Sequence, residues 1–104
     1  MNSVLETRTS IAGFESLLQA PARLQVMAVL VQVQEAEFGR LKDVTKCSDS
    51  VMSKHLGALA EAQLITLRKG ATNGRQRTWI SVTRAGRRRF SDHVAALQRI
   101  IGDN

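Results

Sequence analysis

Cys47, Asp49 and His55 place a thiol, a carboxylate and an imidazole in one short stretch. Those are the groups a nucleophilic catalyst uses. Asp49 and His55 are six residues apart on what reads as one helix, so they face away from each other. The second histidine, His93, belongs to another helix and has no acidic cluster beside it. No phosphate-binding loop, dinucleotide fingerprint or paired-histidine metal motif occurs. The spacing therefore argues against an enzyme and against a metal or other cofactor. The same stretch offers a different chemistry. Ser50, Ser53, Lys54 and His55 put hydroxyls, an ammonium and an imidazole on or beside one helix face, with Val51 among them. Short donors and acceptors on an exposed helix suit base edges in a DNA major groove, and a valine suits a thymine methyl.

Charge points the same way. The chain carries +6 at neutral pH. Between Arg40 and Arg89 twelve basic residues face three acids, a local +9 that leaves −3 for the rest of the chain. A concentrated positive segment favours a polyanion, with nucleic acid first; the sum alone also suits an anionic membrane surface or an acidic protein. Lys69, Arg75 and Arg77 flank a glycine-bounded turn. Arg75, nearest its tip, is the candidate for minor-groove insertion, and Lys69 and Arg77 are candidates for phosphates. Lys46, with Arg40 and Lys42, is placed to flank the DNA backbone. Arg87, Arg88 and Arg89 form a charge run suited to phosphate contact, solubility or an interface ion pair. Asp49 is read as a helix-terminal carboxylate or as an acceptor for cytosine.

The elements that must position these groups follow from periodicity. Ile11, Phe14, Leu17 and Leu18 predict a short helix over about 10–20, after a flexible tail at 1–9. Pro21 suits the first turn of a second helix, running to about Gln34. A third runs from about Glu37 to Thr45, with Phe38, Leu41 and Val44 inward. Ser48 reads as the N-cap of a fourth, which ends near Ala62 and buries Met52, Leu56 and Leu59. Residues 63–68 and 75–82 predict two strands around a turn at 70–74, with Leu67 opposite Trp79 or Ile65 opposite Ile80. Trp79 is read as the anchor of this hairpin to the core. Thr83 caps a last helix that Gly102 ends. The fold expected is mainly α with a two-stranded β wing, a winged helix-turn-helix, in one domain over 10–101.

In this order, PARLQVMAVL, CSDSVMSKHLGALAEAQLITLRKG and GRQRTWISVTRAGRRRF resemble the compact winged-helix transcriptional regulators of the MarR/ArsR-like class. The resemblance spans nearly all of residues 10–101. It implies a homodimer on a partly palindromic operator, with the 49–62 helix in successive major grooves and the 70–76 turn in the flanking minor groove. It also implies that the outer helices build most of the dimer interface. Ile11, Phe14, Leu17, Leu18, Phe90, Val94, Leu97, Ile100 and Ile101 are the candidates, because so short a chain has little spare core for them. Two departures stand out: Gln63 replaces a frequent glycine, and the paired cysteines of metal-sensing relatives are missing.

One cysteine excludes an internal disulfide. Cys47 is read as a small buried hydrophobe in the turn, with redox sensing as the alternative. No signal peptide or membrane span is visible, which suits a cytoplasmic protein. The function expected is a sequence-specific regulator, a repressor, acting on double-stranded DNA. The alternative is a winged-helix module that binds protein or RNA. The sequence shows no clear ligand cluster, so a small-molecule effector is left open.

Overall fold

In the computed structural model, which describes residues 12–102, Pro21 opens the first helix, α1 (Pro21–Leu30). Ala20 before it is held extended, as a residue preceding proline must be. That break ends what comes earlier. A helix was expected over 10–20, but the described part holds only a single 3-10 turn at Ser16–Leu18. Backbone groups there are taken by side chains of the last helix instead: Glu15 N–H donates to His93 Nδ1 at 2.9 Å. The expected 1–9 tail and Ile11 lie outside the described residues.

α1 stops at Leu30, short of the expected Gln34, because the chain must extend to form β1 (Ala36–Glu37). Val26, Met27 and Leu30 bury its inner side. α2 (Phe38–Thr45) follows at once and buries Leu41. Lys46 turns through the left-handed region at φ 62°, and Ser48 caps α3 (Asp49–Glu61) by accepting from Val51 N–H at 3.2 Å. Met52, Leu56 and Leu59 are the buried face of α3, as the periodicity required.

α3 ends in a double backbone closure. Gln63 N–H donates to the Ala60 carbonyl and Leu64 N–H to the Leu59 carbonyl. This is the Schellman arrangement, with Gln63 in its left-handed position at φ 65°. A glycine would adopt that angle at lower cost. The closure uses Gln63 and Leu64, so the strand expected from 63 begins later.

The hairpin is β2 (Ile65–Thr72) and β3 (Arg75–Val82), antiparallel. The register is neither of the two anticipated: Leu67 faces Ile80, Arg68 faces Trp79 and Ile65 faces Val82. It is set by the loop, which is shorter than the expected 70–74 turn. Only Asn73 and Gly74 connect the strands, at φ 52° and 77°, the pair of positive angles that a type I′ hairpin needs. β1 adds a third strand on the other side of β3, giving the order β1-β3-β2 rather than a two-stranded wing. A two-residue strand has no periodicity for a sequence to show.

α4 (Arg84–Ile101) starts at Thr83, whose hydroxyl accepts from Gly86 N–H at 2.9 Å, and ends at Gly102. Gly86 lies against the Leu64 carbonyl, and a Cβ there would come within 2.1 Å of that oxygen. One core gathers Leu18, Met27, Leu41, Met52, Leu64 and Ile80, and Phe90 of α4 packs against it.

Candidate nucleic-acid interface

The face of α3 opposite its buried stripe carries Ser50, Ser53 and Lys54, all exposed, and Val51, 44% exposed. The structure therefore brings these four together on one surface. Asp49 takes the terminal-carboxylate role: it is ion-paired to Lys42, which joins the first turn of α3 to α2. That hydrogen bond and the carboxylate's charge raise the Lys42 pKa. Lys42 is thus occupied, while Arg40 and Lys46 are exposed. Cys47 is half-buried against the core, as a small hydrophobe would be.

The wing separates its charges into two kinds. Lys69 and Arg75 are exposed. Arg77, expected to hold a phosphate, is instead half-buried and ion-paired to Glu37. Its Nε is buried without a partner among the described residues. Arg68 behaves similarly: Nη2 donates to Glu35 Oε1 at 2.6 Å, and its guanidinium lies over the Trp79 ring at 5.6 Å. The hydrogen bond to Glu35 raises the Arg68 pKa. Glu35 and Glu37 alternate along an extended segment, a spacing that signals one strand face. They fasten the root of the wing and neutralise two of its cations. Ser53 and Arg77 line one cleft of about 370 Å³ between α3 and the wing, together with Glu37, Phe38 and Thr78.

His55 sits at the margin of the α3 surface, half-buried. Its Nδ1 accepts from Arg23 Nε–H at 3.0 Å. Arg23, in the first turn of α1, was not visible as a site residue, because nothing in linear spacing places α1 beside α3. Burial is the main cause that lowers the His55 pKa, with Arg23 and Lys54 adding to it.

The candidate dimer residues divide. Leu18 is fully buried in the chain's own core and leaves that set. Leu17 and Phe90 are half-buried and pack against the same core. Phe14 packs on His93, ring centroids 5.1 Å apart. Val94 and Leu97 are half-buried on α4, and Ile100 and Ile101 are 52% and 73% exposed. A groove of about 440 Å³ runs along this helix, lined by Val31, Phe90 and Val94.

Among the described residues no helix is long and apolar enough to cross a membrane. No group of three or more His, Cys, Asp or Glu among them is placed to hold a metal.

A family model described as "Winged helix DNA-binding domain" matches residues 22–101. An uncharacterised protein of Methanocaldococcus jannaschii is 27% identical over 78 residues, which is 75% of this chain and 85% of that protein. The structure of a transcriptional regulator homologue from Pyrococcus horikoshii superposes with a TM-score of 0.78 at 23% identity, covering 97% of this chain and 95% of that one. A variant of ZitR from Lactococcus lactis, solved in complex with DNA, superposes with a TM-score of 0.59 at 19% identity, covering 76% of this chain and 53% of that one.

Proposed function

The chain belongs to the winged helix DNA-binding domain family, and on that premise we propose that it is a sequence-specific transcriptional regulator, a repressor that binds a partly palindromic operator as a homodimer. One observation carries this: α3 leaves Ser50, Ser53 and Lys54 exposed on one face, and the wing leaves Lys69 and Arg75 exposed. A helix with short polar and basic side chains reads base edges, and a basic hairpin holds the adjacent backbone or minor groove. The ZitR relative, solved with DNA, supports the same use of the fold here. Such a protein binds and performs no catalysis. Its place is the cytoplasm, beside the DNA it reads.

Dimerisation is proposed from α4. Ile100 and Ile101 are large apolar side chains left in water at its end, and Val94 and Leu97 continue the stripe half-covered. A partner copy would remove them from solvent.

Selection from randomised duplex DNA at about 150 mM salt tests the proposal. We expect an enriched palindrome whose half-sites lie about one helical turn apart. Weak uniform binding that vanishes with modest salt would overturn it and favour a protein or RNA partner.

A further inference from the structure

Arg23 reaches from α1 to two other elements. Its Nε–H donates to His55 Nδ1 at 3.0 Å, and Nη1 donates to the Leu17 carbonyl at 3.2 Å. A guanidinium has only donors. Nδ1 is therefore the bare nitrogen of the His55 ring, and a neutral ring then carries its proton on Nε2. Two donors cannot share a 3.0 Å contact, so protonating Nδ1 breaks the link. The charged groups around the ring, Arg23 from α1 and Lys54 on α3, are both positive and oppose a second proton.

Place on the helix decides what this ring can touch. His55 follows Val51 by four residues, so the two are neighbours one turn apart. Val51 is exposed and His55 half-buried, which puts the ring at the border of the α3 surface rather than its centre. The border of a groove-reading helix lies nearest the DNA backbone, where contacts set orientation rather than sequence. Resting on the DNA-binding role above, we infer that Arg23 is a positioning residue of this interface: it fixes the His55 imidazole in one orientation, with Nε2–H offered as a neutral donor to a DNA phosphate oxygen. Arg23 thus acts on DNA through His55.

A double-mutant cycle on the selected duplex separates this from a direct or purely structural role. R23A and H55A are each expected to lose about tenfold in affinity, the worth of one hydrogen bond. The double variant should lose no more than the larger single loss. Losses that multiply would overturn the inference, as would R23A binding like the unaltered protein. The pH profile gives a second readout. Arg23 is one cause of the lowered ring pKa, after burial and beside Lys54, so its loss shifts the titration upward, and R23A should begin to bind more tightly at a higher pH than the unaltered protein, as the imidazolium meets phosphate. The unaltered protein should stay flat until lower pH, and coincident profiles would overturn the inference. A third measurement needs no variant: nitrogen-15 spectra of the free protein at neutral pH should show His55 protonated at Nε2 alone. A proton on Nδ1 would overturn it. Failure of the unaltered protein to select any duplex would be a different result, the loss of the DNA-binding role itself, and would remove the inference with it.

Discussion

Gly86 and His93 show how much a single position on α4 controls. A methyl group at Gly86 meets a backbone oxygen, the Leu64 carbonyl, which no rotamer change can move aside. Gly86→Ala should therefore cost about 3 kcal/mol, the upper range for overpacking. A urea melt would read this as a lower midpoint with unchanged slope, and an unchanged midpoint would mean the helix can withdraw from the Leu64 carbonyl freely. The V-T-x-x-G run shows that something special happens here, but the reason lies in Leu64, far away in sequence. His93 is 1% exposed and accepts from the Glu15 backbone. Burial lowers its pKa, and the Glu15 carboxylate, itself paired with Arg89 at 3.3 Å, offsets this in part. The folded value lies below the unfolded one of about 6.5, so the unfolded chain binds the extra proton first. The stabilisation is whole above that pH and is lost as pH falls through the folded pKa. His93→Asn keeps an acceptor and removes the titration. It should flatten the acid side of the stability profile by up to about 1.4 kcal/mol per pH unit, leaving the share of His55, whose pKa is also lowered. An unchanged acid slope would show that His93 does not titrate with folding.

At the scale of elements, α3 was legible because it buries a stripe at helical spacing, and α3 and α4 both start at capping hydroxyls, Ser48 and Thr83; α2 buries Leu41 alone, and Val44, expected inward, is exposed. The wing was legible as a hairpin, since Asn73-Gly74 is a strong turn signal. Its register was not, because Leu67 and Trp79 look alike as apolar partners and only the loop geometry separates the choices. β1 and the turn at Ser16–Leu18 are too short to leave a period. The exposed face of α3 was legible for the same reason as its buried face. What escaped was the pairing of Arg68 and Arg77 with glutamates 33 and 40 residues earlier. Those pairs divide the wing into anchoring cations and cations that are free among the described residues. A free cation that meets one phosphate contributes about 0.9 to the salt slope of binding. Arg75→Ala should lower the slope by that amount, whereas Arg77→Ala should leave it nearly unchanged and loosen the wing. Equal slopes for the two variants would refute the division.

For the molecule as a whole, the positive segment and the apolar end of α4 call for two different partners. Sedimentation at micromolar concentration should show a species near twice 11.4 kDa, and replacing Ile100 and Ile101 with serine should return it to the monomer. A single 11.4 kDa species from the unaltered chain would sink the homodimer. The contacts that seat residues 12–15 on α4 have a separate, mechanical consequence. Arg99 donates to the Ala12 carbonyl, Glu15 N–H to His93, and Arg89 pairs with Glu15. Residues 12 and 99 are thus fastened to each other while α3 and the wing lie in the loop between them. Tension applied from outside residues 12–102 would be carried across this fastening and would not pass through α3 and the wing until the fastening tears. A load on the flanking chain therefore leaves α3 and the wing slack.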